Sequence, residues 1–282
     1  MNILSLENIV KRVKEIPALP DVVLKVMQLT EDPDSTPHDI ESVVLKDQGI
    51  TTRVLRLANS AYYGYPRRIS TISEATILLG FQTIRSITLS AAVNKVLMRE
   101  IPGYGMKKGS LWRHSQAVAI IARHISRQNR MKDTEEVYVA GLLHDIGKVI
   151  MGHYIEKAYS EVLDMVIDSN MTFLDAEEKV LGFNHAQVGA KVAEKWNLPE
   201  SLVEAIAYHH IPQEANIAPK MTCIVHISDA IAMMMGIGLG VDGMAYSISD
   251  YAMKTLRFDS NSQIDKIMSS VSDMLTDEAI FS

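Results

Sequence analysis

The sequence predicts an all-α protein, a compact helical bundle of two lobes. Three observations carry that expectation. Apolar residues recur at i, i+3 and i+4 along almost the whole chain, the spacing of one helical face. Alternating runs of β-branched and aromatic residues, the mark of strands, are missing. The clearest break, Pro102-Gly103-Tyr104-Gly105, divides the periodic segments into two sets. The organisation expected is an N-terminal lobe over 1–104, a second helical lobe over 105–240 and a helical extension over 241–282.

Taken in order, Leu19-Pro20-Asp21 opens a helix whose apolar positions Val22, Val23, Val26, Met27 and Leu29 run to a stop at Pro33. Thr36 suits an N-cap and Pro37 the first helical position, so a second helix runs through Ile40, Val43, Val44 and Leu45 to Gly49. A third holds Ile50, Val54, Leu55, Leu57 and Ala58. Tyr62 to Pro66 reads as a loop, Ser73 as the cap of a helix ending at Leu79-Gly80, and Ile84 to Met98 as another helix. Beyond the break, Leu111 to Arg127 is a long amphipathic helix. Further helices are expected at about 135–149, 154–169, 173–197, 200–210, 219–235 and 262–276.

Composition narrows the function classes. With 282 residues, 47% hydrophobic and 22% charged, the chain is globular rather than disordered. A formal charge of −6 argues against a broad nucleic-acid face, so no DNA partner is expected. Cys223 is the single cysteine, which excludes an internal disulfide, and in Cys223-Ile224-Val225 it reads as a small core residue. Met1 to Glu7 lacks a basic segment followed by an apolar one, so a cytoplasmic protein is expected. The longest apolar run, Ala230 to Val241, is too short to span a bilayer and carries three glycines, so no membrane insertion is expected.

The chemistry lies in the second half. His114 shares a face with Val118, Ile121 and Ile125 and so points inward. In Leu142-Leu143-His144-Asp145-Ile146-Gly147-Lys148, an adjacent His and Asp interrupt a segment patterned for burial. Burying that Asp is costly unless it is paired or bound to a cation. His185 groups with Leu181, Val188, Val192 and Trp196; His209 and His210 end a helix; Asp229 lies in the apolar Ile227-Ser228-Asp229-Ala230-Ile231. Any one of these alone reads most simply as a hydrogen-bonded core residue. Together, imidazoles and carboxylates gathered from several helices are the ligand set of a divalent metal. Glu177 and His226 are candidates to support the ligands from behind, His226 lying three residues before Asp229 and sharing its helical face.

His114, then His144-Asp145, then Asp229 resembles the H…HD…D signature of the HD superfamily of metal-dependent phosphohydrolases. The added His185 and the pair His209-His210 resemble the HD-GYP branch, phosphodiesterases of cyclic-di-GMP with two or three metals. The chain departs from that branch at Ile211-Pro212-Gln213-Glu214, where the branch carries an acidic residue and then its GYP motif. Leu19-Pro20, Asp47-Gln48-Gly49-Ile50-Thr51, Val54 to Ser60, Ala75 to Gly80, Gly182 to Ala190 and Trp196-Asn197-Leu198-Pro199 look like the HDOD domain, the HD-related output domain of bacterial signalling. The resemblance covers roughly residues 5–240. It implies a second lobe with the HD fold and a signalling module acting through protein partners. The fuller ligand set implies the alternative, a metal-dependent phosphohydrolase acting on a nucleotide or cyclic dinucleotide. On either reading one or two ions, three at most and iron or manganese first, are expected unless the cluster is a relic. Asp145 would bridge, with His114, His144 and Asp229 on one side and His185, His209 and His210 on the other. Paired metals would activate water and neutralise phosphate charge, with Asp145 and Lys148 as the residues nearest the chemistry. Lys148 has a plainer reading as a cation at a helix C-terminus.

Other features are discounted. His38 and His124 read as helix-face residues without companions, and His153 as solvated in a loop at Gly152-His153-Tyr154. Gly236-Ile237-Gly238-Leu239-Gly240 lacks the strand and helix that a nucleotide loop needs. Met233-Met234-Met235 reads as core packing, and the group Arg53, Arg56, Arg67, Arg68, Tyr62, Tyr63 and Tyr65 as a loop docking the lobes.

Overall fold

The computed structural model describes residues 18–158, 161–162, 164–166, 171–238, 248–258, 260–277 and 281. It is all-α: among the described residues there is no strand, and Ile101 and Met106 form an isolated antiparallel bridge. The described residues fall into two compact units, one of Leu19–Lys95 with the segment from Val271, the other of Val96–Ser270. The division therefore lies inside a helix and not at Pro102-Gly103. The preceding helix already ends at Leu97, and the Ile101–Met106 bridge folds the break back into a closed turn, Pro102–Tyr104, with Tyr104 buried.

The first unit holds α1 (Asp21–Leu29), α2 (Pro37–Val44), α3 (Gln48–Ala58), α4 (Ile72–Leu79) and most of α5 (Phe81–Leu97). Thr36 and Asp39 form a reciprocal capping box at the start of α2, and Asp47 accepts the Ile50 N–H at the start of α3. The cap of α4 is Thr71, whose side chain accepts from the Glu74 N–H; Ser73, the expected cap, is already helical and donates to Glu41 at 2.8 Å. Helix α2 packs on α1 and α4, and Val23, Val26, Ile40, Val44, Val54 and Ile72 fill the space between elements of the unit. Asn59 closes the loop after α3. Its side chain accepts from the Ile69 N–H at 2.8 Å and donates to the Ile69 and Leu55 carbonyls at 2.9 and 2.7 Å. Members of the Arg and Tyr group find partners inside this unit: Arg53 donates to Asn94, Arg67 meets Glu74 at 3.3 Å, and Tyr62 and Tyr63 stack edge to face.

The second unit is built around α6 (Ser110–Gln128), which lies against both α7 (Thr134–Leu143) and α12 (Pro219–Met234). Trp112, Val118, Ile121 and Ile125 on α6 are buried, each worth about 1.5–3 kcal/mol of apolar transfer. Gly141 lets α7 approach closely, since a Cβ there would stand 3.0 Å from the Ala119 Cα. The remaining helices are α8 (Lys148–Lys157), α9 (Phe173–Leu181), α10 (His185–Lys195), α11 (Glu200–Tyr208), α13 (Asp250–Leu256) and α14 (Asn261–Ser272). Helix α11 joins α10, α7 and α12, and α8 meets α10 and the 102–104 turn.

Several expected boundaries move. The single helix expected over 135–149 is two, because α7 ends at Leu143 and His144 to Gly147 turn the chain into α8. The helix expected over 173–197 is also two. Gly182 ends α9 in a left-handed conformation at φ 84°, and Asn184 with Gln187 forms a capping box that starts α10. Leu181 therefore belongs to a different helix from His185 and shares no face with it. Helix α8 includes 152–154, so that stretch is not a loop; the rest of the helix expected over 154–169 lies partly outside the described residues. Residues 239–247, which contain the end of the glycine run and the start of the expected extension, lie outside them too. Met233 to Met235 are not core residues, Met234 being 57% exposed. His124 does have companions, Gln128 at 2.8 Å and Ser270 at 2.9 Å. Among the described residues no helix is long and apolar enough to cross a membrane.

Replacing Asn59 by Ala removes three hydrogen bonds that join Leu55 to Ile69 across the loop. Urea denaturation of Asn59→Ala should show a stability loss of about 1–3 kcal/mol; an unchanged midpoint would mean the loop is held by other contacts.

Candidate metal centre

His144 and Asp145 sit in the turn between α7 and α8, and the pocket is assembled around the Asp145 carboxylate. Helix α6 brings His114 from its second turn, α10 brings His185 as its first residue, α11 brings His209 and His210 just past its end, and α12 brings Asp229. Oδ2 of Asp145 lies 3.2 Å from His144 Nε2 and 3.7 Å from His114 Nε2. Oδ1 lies 3.4 Å from His185 Nε2 and 3.8 Å from His209 Nε2. Asp229 Oδ1 closes the first side at 2.9 Å from His114 Nε2 and 3.7 Å from His144 Nε2. His210 Nε2 closes the second, 2.9 Å from His185 Nε2. The seven residues thus form two groups, Asp145 with His185, His209 and His210, and His114 with His144 and Asp229. Within each group one ligand atom per residue lies within 4.8 Å of every other. All but His210 are buried.

The imidazoles are oriented by the groups behind them. A carbonyl oxygen only accepts, so a ring nitrogen facing one must carry the proton. His144 Nδ1 donates to the Gly141 carbonyl at 2.7 Å, and His209 Nδ1 donates to the Ile206 carbonyl at 2.8 Å. These are the same device, a histidine just past a helix satisfying the carbonyl three residues back, one of the orphans of every helix end. His114 Nδ1 donates to the Ile237 carbonyl at 3.1 Å, and His185 Nδ1 to Glu177 Oε2 at 2.8 Å. In all four rings Nε2 is left with its lone pair turned toward the carboxylates. Such an arrangement is repulsive unless a proton or a cation lies between. His144 Nε2, His209 Nε2 and Asp145 Oδ1 have no hydrogen-bond partner although all three atoms are buried. That set of orphaned lone pairs fits a divalent cation, which would take imidazole nitrogen and carboxylate oxygen together.

Lys148 supplies part of the compensation. It opens α8 and reaches back to place Nζ 2.5 Å from Asp145 Oδ2. It stands at a helix N-terminus, so the dipole reading as a C-terminal cation fails; its charge answers Asp145. Burial opposes ionisation of Asp145, but His144 and Lys148 outweigh it and hold the carboxyl well below the usual range. Asp229 is likewise lowered despite its burial, by the His114 ring against it and by His144. Glu177, buried, also accepts the His185 backbone N–H at 2.9 Å, so it fixes both ring and main chain. His226 stands one turn before Asp229 on α12. Its Nδ1 donates to the His209 carbonyl at 2.7 Å while Nε2 accepts the Ser249 N–H at 2.9 Å.

Three contributors escaped sequence reasoning. Gly147 sits where a Cβ would land on the His185 carbonyl and 2.6 Å from the Gly189 nitrogen, so only glycine lets the His-Asp turn approach α10. Gly238, at φ 66°, would carry a Cβ 2.7 Å from the His114 Cβ, and its close approach delivers the neighbouring Ile237 carbonyl to His114. The glycine run rejected as a nucleotide loop therefore has a positioning task. Tyr104 is the third, and its hydroxyl donates to Glu177. For Gly147, a glycine two residues after Asp145 was a visible signal.

The family model of the HDOD domain matches residues 16–212. A protein of Treponema pallidum (strain Nichols), described as uncharacterized, is 27% identical over 207 residues, which are 72% of this chain and 39% of that protein. The chain therefore spans well under half the length of that relative. A crystal structure of an HDOD domain protein with unknown function from Geobacter sulfurreducens is 26% identical and superposes with a TM-score of 0.75, covering 98% of this chain and 97% of that one. A crystal structure from Shewanella amazonensis SB2B, described as a candidate phosphohydrolase, is 22% identical with a TM-score of 0.68, covering 93% and 97%. This second likeness is one of fold.

Two predictions follow from the pocket's geometry. Gly147→Ala should cost about 1–3 kcal/mol or more and weaken any bound metal, because the turn must retreat from α10; native stability in that variant would disprove the close approach. The second concerns pH in metal-free protein. Burial holds His209, His210 and His226 below the ordinary imidazole range, whereas His144, though buried, is raised by Asp145 and Asp229. Below about pH 6.5 the unfolded chain takes protons that the first three refuse when folded, so stability falls with pH by up to about 1.4 kcal/mol per unit for each. His144 acts in the opposite sense, its contribution being full below about 6.5 and lost as pH rises through its folded value. Melting temperatures at pH 7 and pH 5.5 should differ, the lower pH being less stable; equal values would contradict these directions.

Proposed function

Because the chain belongs to the HDOD domain family, we propose that it is a signalling output module whose HD-type pocket holds a divalent metal as part of its core and which acts through protein partners. The observation that carries this reading is the burial of six of the pocket's seven residues together with the Lys148 ammonium seated on Asp145. A pocket so closed suits an ion that fixes helix positions better than one that turns over a nucleotide. Iron or manganese suits the donor set, five imidazoles and two carboxylates. His114, His144 and Asp229 would hold one ion, and His185, His209 and His210 another, with Asp145 offering one oxygen to each.

A second reading is a metal-dependent phosphohydrolase of a nucleotide or cyclic dinucleotide. It is favoured by one feature, the facing of Asp145 Oδ2 and Oδ1 toward different histidine groups, as a bridging carboxylate requires. A bound ion pair would supply Lewis acidity toward a phosphoryl oxygen. The chain's own part would be to orient Asp145 and to offer the Lys148 ammonium to a phosphate.

The full chain, purified without chelators from cells supplied with iron and manganese, should carry near-stoichiometric metal, and His144→Ala with Asp145→Ala should strip it. A double variant that keeps its full complement would sink the pocket assignment. A panel of nucleotides and cyclic dinucleotides should release no phosphate and open no diester. Turnover that vanishes in the double variant would decide for the hydrolase.

A further inference from the structure

Tyr104 ends the short Pro102–Tyr104 turn and is fully buried. Its hydroxyl donates to Glu177 Oε1. The other oxygen of that carboxylate, Oε2, takes the His185 Nδ1–H at 2.8 Å and the His185 N–H at 2.9 Å. The Tyr104 ring stands edge-on to the His185 ring with centroids 6.3 Å apart, meets the Phe173 ring at 5.3 Å, and has Lys148 Nζ 5.7 Å from its centre. One side chain therefore borders a candidate ligand, that ligand's carboxylate support and the cation on Asp145. Helix α8, which begins with Lys148, packs against the same turn.

A carboxylate can swivel about its last torsion, and one anchored at a single oxygen does not hold a ring plane. Glu177 is anchored at both, by Tyr104 on one oxygen and His185 on the other. A histidine whose Nδ1 is held this way keeps Nε2 aimed and basic, and loss of such outer support lowers metal affinity. We propose that Tyr104 is a positioning residue of the metal centre, setting the His185 imidazole through Glu177, so that the turn 102–104 is part of the site. This rests on the reading that the pocket binds metal.

The test is Mn²⁺ affinity of the full chain, measured by competition with a chromophoric chelator for wild type, Tyr104→Phe, Glu177→Gln and the double variant. Melting of the metal-free proteins and the visible spectrum of their Co²⁺ forms are recorded beside it. Tyr104→Phe keeps the ring and should bind Mn²⁺ roughly ten-fold more weakly and alter the Co²⁺ spectrum, with little change in metal-free melting. The double variant should be no worse than Glu177→Gln alone, since both act along one chain. Affinity of Tyr104→Phe within two-fold of wild type overturns the positioning role and leaves the pocket standing, as does full additivity in the double variant. If Tyr104→Phe fails to fold, Glu177→Gln decides alone: unchanged affinity and spectrum overturn the relay. Wild-type protein that takes up no metal overturns both the relay and the reading beneath it.

Discussion

The second unit is organised around one buried negative charge, the Asp145 carboxylate. An ionised carboxyl withdrawn from water costs several kcal/mol unless positive charge and hydrogen bonds surround it. Here an ammonium one helical turn later supplies part of the answer, while imidazoles on three other segments face the same carboxylate with the lone pairs that a cation would share. Each of those segments must end or begin at the right point for its histidine to face the same centre. The helix packing and the electrostatics are therefore one constraint: α6, α7, α10 and α11 converge on the Asp145 carboxylate, and α12 joins them by setting Asp229 against His114.

The rings are held from outside with similar economy. Four imidazoles have Nδ1 committed to an acceptor, two of them to the helices they terminate, one to the Ile237 carbonyl and one to Glu177. The Ile237 contact depends on a glycine that lets a loop touch α6, and the Glu177 contact on a tyrosine in the turn that Pro102 opens. None of these supports contributes an atom to the pocket, yet each decides which nitrogen looks into it.

Much of this was legible in the residues, because burying an adjacent His and Asp has few physical solutions. The helical class followed from the spacing of apolar positions, and the grouping of His114, His144 and Asp229 apart from His185, His209 and His210 is the one the geometry displays. What stayed hidden was set by backbone detail. Gly182 and Asn184 sit inside a stretch whose apolar periodicity continues on both sides, so two helices read as one. The break at Pro102-Gly103 was real but local, and chain punctuation says nothing about which unit a turn joins. Tyr104 and Ile237 act through a hydroxyl and a main-chain carbonyl on segments far away in sequence, and no periodicity announces such a partner.

His144 and His209 each finish a helix with the same ring that faces the pocket. A cation drawing electron density from Nε2 would make the Nδ1–H a stronger donor, so an occupied pocket would grip the last turns of α7 and α11 more firmly. Occupancy of so closed an interior would then be felt at two helix ends, outside the pocket itself.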